Sequence, residues 1–182
     1  MASRLTYSSL PLEIKRIGWE SLGPGVLKSL FAYTNTYHLM IKVSDGIFIG
    51  FALYHFVTHK DSSGKKVVTG VIDCVCVKPT YRKEGFGTLL TYGVLRKMSN
   101  YGADRVEIAL KVPRIVDRDG EPGFPFQGSP KVLDALGFEN IDIKDNAFER
   151  VSVKYGYDCI FCGNRPDTCS SVLFALTARS PS

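Results

Sequence analysis

From residue 82 to residue 88 the chain reads Arg-Lys-Glu-Gly-Phe-Gly-Thr, the segment whose residue types and spacing are best suited to chemistry. Glycines at 85 and 87 let the backbone approach a ligand closely. The first turn of the helix expected to follow leaves several N–H groups without internal partners. Those groups, the positive end of the helix dipole and the side chains of Arg82 and Lys83 form an anion site suited to a pyrophosphate. A tight turn with glycines for geometry alone would read the same in isolation. The spacing is not that of a Walker loop, and Leu90 stands where the dinucleotide fingerprint needs a third glycine.

Asp73 is the second candidate. It is the only charged side chain from Val67 to Val77, and alternation places it on the face of Val71, Val75 and Val77. Partial desolvation there raises a carboxylate's pKa toward values useful to a base. A carboxylate satisfied by neighbouring backbone or by an arginine is the alternative, and Glu107 is a second candidate base. Cys159, Cys162 and Cys169 have part of the spacing of a zinc knuckle. A closed zinc site needs four donors, and no fourth cysteine or histidine follows, so no metal is expected. Cys74 and Cys76 read as small core residues, and His38, His55 and His59 are not spaced as a ligand set.

These residues need a scaffold. Val67 to Val77 is apolar or small on both faces, as a strand in the middle of a covered sheet is. Phe86, Leu89, Leu90, Gly93, Val94 and Met98 then recur at helical spacing up to about Asn100. Upstream, Leu12, Ile14, Ile17, Trp19 and Leu22 form an imperfect helical stripe ended by Gly23-Pro24-Gly25, and a short helix from Val26 to Tyr33 follows. Tyr37 to Val43 and Ile47 to Thr58 read as strands joined at Asp45-Gly46. Downstream come a strand from Asp104 to Val112, a long loop from Pro113 to Ser129 and a short helix from Pro130 to Leu136. Strands near Phe138 to Ile143, Val151 to Phe161 and Ser171 to Thr177 complete the chain. The order predicts a mixed α/β layer structure.

The run Ile72-Asp73-Cys74-Val75-Cys76-Val77-Lys78-Pro79-Thr80-Tyr81-Arg82-Lys83-Glu84-Gly85-Phe86-Gly87 resembles the coenzyme A signature of the GNAT superfamily of N-acetyltransferases. Lys131 to Phe138 resembles that family's later helix ending in Leu-Gly-Phe, and the likeness covers roughly Tyr37 to Asn140. The resemblance implies an α/β (α+β) fold of acyl-CoA N-acyltransferase type, with a mixed, mostly antiparallel sheet and helices on both faces. It further implies acetyl-CoA as co-substrate, with its pyrophosphate on the N–H groups of Arg82, Lys83, Glu84, Gly85, Phe86, Gly87 and Thr88. Its arm would lie at the edge where the Val67 to Val77 strand splays from the Asp104 to Val112 strand. Backbone N–H groups at Val75, Cys76 and Val77 would hold the thioester carbonyl, and Asp73 would help deprotonate an amine acceptor. Leu133 stands where the family often has the tyrosine that protonates the leaving thiolate. Tyr101, Tyr155, Tyr157, a cysteine or solvent are left as the source of that proton. A GNAT-fold module with little or no turnover is therefore the alternative function.

Composition bounds the rest. With 182 residues, 45% hydrophobic and 23% charged, the chain has the profile of one globular domain and not of a disordered segment. The longest apolar stretch, Ile47 to Val57, is far short of the roughly 20 residues that span a bilayer, so no membrane partner is expected. Glu13, Lys15, Arg16 and Glu20 interrupt what would be a secretory signal, and 5 cysteines read as thiols of a reducing compartment, which predicts a cytoplasmic protein. The net charge of +5 suits an anionic ligand. With Arg114, Arg118 and Lys131 around the long loop, it also keeps nucleic acid as a variant acceptor.

Overall fold

The computed structural model describes residues 5–22, 26–33, 38–113, 115–116, 122–123, 130–144 and 169–177. Two helices, α1 (Leu12–Leu22) and α2 (Val26–Tyr33), precede the hairpin of β1 (His38–Ser44) and β2 (Ile47–Lys60). Asp45 and Gly46 both take positive φ, 51° and 75°, as a turn matched to the twist of its strands requires. β3 (Lys66–Val77) pairs with β2 along its whole length, and α3 (Phe86–Tyr101) then carries the chain back so that β4 (Arg105–Pro113) lies parallel to β3. The two-residue strands β5 (Ile115–Val116) and β6 (Pro122–Gly123) pair with each other inside the long connection. After α4 (Pro130–Ala135), β7 (Glu139–Lys144) and β8 (Cys169–Thr177) complete a sheet in the order β1-β2-β3-β4-β8-β7. Every pairing in it is antiparallel except β3 with β4. The strand expected from Val151 to Phe161 lies outside the described residues.

Helices cover both faces, and strand alternation sends side chains to each. On one face Ala52, Tyr54, Ile72, Val106 and Ile108 pack with Val94 and Met98 of α3 and with Leu133 and Phe138. On the other, Phe51, Leu53, Cys74 and Cys76 pack with Ile14 and Ile17 of α1 and Leu27 of α2. Two helical stripes differ from expectation. Ile14, Ile17 and Gly18 form the buried side of α1, while Leu12 and Trp19, seven positions apart and so on one side of the helix, face outward. In α3 the buried side is Leu90, Thr91, Val94 and Met98, and Leu89 is exposed. In both helices one side covers the sheet, and apolar residues off that side stay in solvent. Among the described residues no helix is long and apolar enough to cross a membrane.

The end of β3 is held by a close backbone approach. Gly50 sits opposite Val77, and the N–H of Lys78 donates to the Ile49 carbonyl at 2.8 Å. A Cβ on Gly50 would run into the carbonyl of Cys76 and lie 3.1 Å from the Val77 Cα. Both obstacles are backbone, so they cannot swing aside. Gly50→Ala is expected to destabilise the chain by roughly 1–3 kcal/mol, read as a lower melting temperature in thermal denaturation.

Candidate functional site

The site begins where the parallel pair ends. β3 and β4 are in register from Thr69↔Arg105 to Ile72↔Ile108, whereas β2 follows β3 to Val77 and β8 follows β4 to Pro113. Asp73 to Val77 and Ala109 to Pro113 therefore flank an open wedge. A strand bonded on one side points alternate N–H and C=O groups to the other, so β3 offers backbone donors to this wedge.

A β-bulge marks the parting. Leu53 lies opposite Cys74 and Tyr54 opposite Ile72, which leaves Asp73 without a partner on β2. The extra residue shifts the alternation: Ile72 and Val75 both pack on the α3 side, and Cys74 and Cys76 on the α1 side. Asp73 thus does not share a face with Val75, as alternation had predicted. Its Oδ2 accepts a hydrogen bond from His55 Nδ1 at 2.7 Å, and the two side chains are 13% and 15% exposed. Tyr54 and Phe56, on either side of His55, pack on the α3 side, so the pair occupies the opposite face. Burial pushes the Asp73 carboxyl above its ordinary value, and the hydrogen bond and charge of His55 pull it back in part. The partner of Asp73 is thus neither backbone nor arginine. Sequence reasoning missed His55, although the hairpin register contains it. His55 opposes Val71, which makes Asp73 its diagonal neighbour.

The loop after β3 makes one 3₁₀ turn, Pro79–Tyr81, and then reverses twice. Lys83 and Gly85 adopt left-handed φ of 68° and 82°, and α3 starts at Phe86. Alternating hands of backbone turn successive N–H groups into a concave anion cradle. The amides of Lys83, Glu84, Gly85, Phe86, Gly87 and Thr88 have no hydrogen-bond partner among the described residues. Arg82 is different. Its amide donates to the Pro79 carbonyl at 3.3 Å, its Nε to the Val77 carbonyl at 3.1 Å and its Nη2 to Ser21 Oγ at 3.1 Å. Expected as part of the anion site, it straps the loop to the end of β3 and to the last turn of α1.

The remaining candidates separate. Glu107 forms an ion pair with Arg105 Nε at 3.0 Å. Cys74 and Cys76 are buried, and the Cys76 thiol and burial hold Cys74 well above the ordinary thiol value, so it stays protonated. Val75 and Val77 are half-buried. Leu133 is a core residue, 3% exposed. Tyr101 stacks on Phe56 with ring centroids 4.0 Å apart, on the face away from Asp73. Tyr155, Tyr157, Cys159, Cys162, Arg114 and Arg118 lie outside the described residues. Cys169 opens β8 opposite Pro113.

The sequence profile described as "Acetyltransferase (GNAT) family" matches residues 7–115. Among solved structures, the Bacillus subtilis acetyltransferase in complex with CoA superposes with a TM-score of 0.64 at 16% identity, covering 97% of this chain and 97% of that one. A GNAT family acetyltransferase from Elizabethkingia anophelis with acetyl-CoA bound gives 0.64 at 14% identity, covering 97% and 96%. The ribosomal-protein-S18-alanine N-acetyltransferase from Escherichia coli gives 0.59 at 16%, covering 99% and 94%. At these identities the likeness establishes the fold. No curated protein sequence matches the chain.

The Asp73 carboxyl predicts a pH-dependent stability. Its value in the folded chain lies above the ordinary 3.8, so protonation favours folding and the ionised form costs stability at neutral pH. Asp73→Asn is expected to raise the melting temperature at pH 7, since it removes the buried charge. Thermal scans should show that gain shrinking as pH falls and vanishing below 3.8, where Asp73 is protonated in both states.

Proposed function

The chain belongs to the GNAT acetyltransferase family, and on that premise we propose that it transfers an acetyl group from acetyl-CoA to a primary amine. The observation that carries this reading is the open edge of β3 running directly into a loop of unpartnered amides. An elongated ligand with amide groups along an arm and a diphosphate at its end matches both features at once. The neighbours that contain CoA and acetyl-CoA support the same assignment. The neighbour that acetylates an alanine of a ribosomal protein supports a primary amine as the acceptor class.

Acetyl-CoA supplies an activated thioester, and each residue has a separate task. The amides from Lys83 to Thr88 bind the diphosphate, helped by the N-terminal dipole of α3. Backbone donors at Val75 and Val77 face the arm and stabilise charge on the thioester oxygen, whereas the Cys76 N–H, expected to share that task, turns toward β2 as the Lys78 N–H does. Asp73 takes the proton from the acceptor's ammonium and leaves a neutral amine to attack. With Cys74 held as the thiol and Cys76 buried in the core, neither serves as a nucleophile, and direct transfer to the amine needs no acyl-enzyme intermediate on them. Position 133 carries a core leucine with no proton to give, so the thiolate leaves without one from that position. A coenzyme A thiolate is stable enough near neutral pH to do so at a reduced rate.

Thermal shift tests binding. Acetyl-CoA should raise the melting temperature, and Gly87→Glu should abolish that rise while the chain stays folded. The site has room for the side chain, since a Cβ there comes no nearer than 4.0 Å to Val77, and its charge opposes an anion. An unshifted wild type at millimolar acetyl-CoA would refute the assignment. Thiol release against polyamines, lysine peptides, alanine-terminated peptides, aminoglycosides and nucleic acids tests transfer and identifies the acceptor. A thermal shift without release by any of them would identify a binding module instead. For the accepted amine, Asp73→Asn should lower kcat about 100-fold with little change in acetyl-CoA binding. The wild type should lose turnover as pH falls through a value above 3.8.

A further inference from the structure

We propose that His55 is a positioning residue for this acetyl transfer, holding one oxygen of the Asp73 carboxylate through Nδ1–H so that the other receives the amine proton. The inference rests on the assignment of Asp73 as proton acceptor. Three observations bear on it. The bulge leaves Asp73 without a cross-strand partner, so ladder geometry does not set its direction. The 2.7 Å bond from His55 Nδ1 engages Oδ2, and Oδ1 has no partner among the described residues. Both side chains are largely withdrawn from water, at 13% and 15% exposure, so solvent cannot hold the carboxylate in place of the imidazole. Aiming a base at its proton is worth most where water cannot reorient it.

The chemistry is a proton transfer that balances within the pair and the acceptor. An N–H bond of the ammonium breaks, an O–H bond forms at Asp73 Oδ1, and the nitrogen keeps the electron pair with which it attacks. Throughout, His55 donates Nδ1–H to Oδ2, and its own protonation state need not change.

Because the bond runs through Nδ1, two amide replacements separate this role from a structural one. Asn carries its nitrogen on Cγ, as His carries Nδ1, whereas Gln carries it one carbon further out. The full chain is assayed by thiol release from acetyl-CoA with the panel amine that gives the highest wild-type rate, alongside the thermal shift with acetyl-CoA. His55→Ala and His55→Gln are expected to lower kcat about tenfold with KM for acetyl-CoA within about twofold, and His55→Asn to recover most of the loss. All three should keep the acetyl-CoA thermal shift. His55→Ala at the wild-type rate, His55→Asn no better than His55→Ala, or loss of the thermal shift in all three would overturn the proposal. Asp73→Asn in the same series separates the two claims. If it retains full kcat, or if the wild type releases no thiol, the assignment of Asp73 fails and this inference with it. If Asp73→Asn is impaired and His55→Ala is not, the inference fails alone.

Discussion

One residue more on β3 than on the facing stretch of β2 is the constraint on which the site depends. The bulge at Asp73 bends and twists the strand where its pairing with β4 stops, at Ile72↔Ile108. It also shifts the side-chain alternation, so that Val75 packs beneath α3 and Cys74 beneath α1. A strand that alternated without interruption from Lys66 to Val77 would place Ile72 and Cys74 on the same face and set Leu53 opposite Asp73. The wedge and the carboxylate beside it thus follow from one local departure in a regular hairpin.

The loop beyond the wedge is held in a conformation it would not choose alone. Lys83 sits at φ 68° without being glycine, and such a residue costs on the order of 1–3 kcal/mol unless its surroundings enforce it. The enforcing contacts are on either side. Lys78 is bonded to Ile49, and Arg82 reaches both the Val77 carbonyl and Ser21 on α1. The strap makes the geometry of the amide cradle depend on the packing of α1, a helix remote in sequence. Amides aligned beforehand need not be ordered when an anion arrives, so the strain is set against a smaller cost of binding.

Most of the element order was legible in the sequence, and so was the glycine loop, because both depend on local rules. Asp45-Gly46 specifies a turn, Val67 to Val77 specifies a buried strand, and Gly85 permits a left-handed residue at the start of α3. What alternation and spacing could not reveal was tertiary. Leu12, Trp19 and Leu89 fit helical stripes on paper, yet the sheet covers only the side carrying Ile14 and Ile17 in one helix and Leu90 and Val94 in the other. The bulge left no mark in residue type, so the face of Asp73 was misassigned. The strap made by Arg82 was not legible because its partner, Ser21, lies in another element. His55 was visible as a lone polar residue in an apolar strand, and only the register through the Lys60–Lys66 turn connects it to Asp73.

The two faces of the sheet divide the work of folding from the work of the site. Beneath α3 the central strands contribute Ala52, Tyr54, Ile72, Val106 and Ile108, an apolar layer closed by Val94, Met98 and Leu133. On the opposite face the apolar cluster under α1 and α2 ends at Leu53 and Cys74, and the next positions along the strands are polar. They are His55 and Asp73, then on β4 Glu107 opposite Val71 and Arg105 opposite Thr69. Arg105 and Glu107 neutralise each other within one strand. Asp73 is set against an imidazole instead, and burial holds its carboxyl above the ordinary value despite that contact. A fully compensated carboxylate would be a weaker base, and one without a partner would cost more to bury. The single hydrogen bond to His55 leaves Asp73 between those limits, its burial compensated in part and its carboxyl still above the ordinary value.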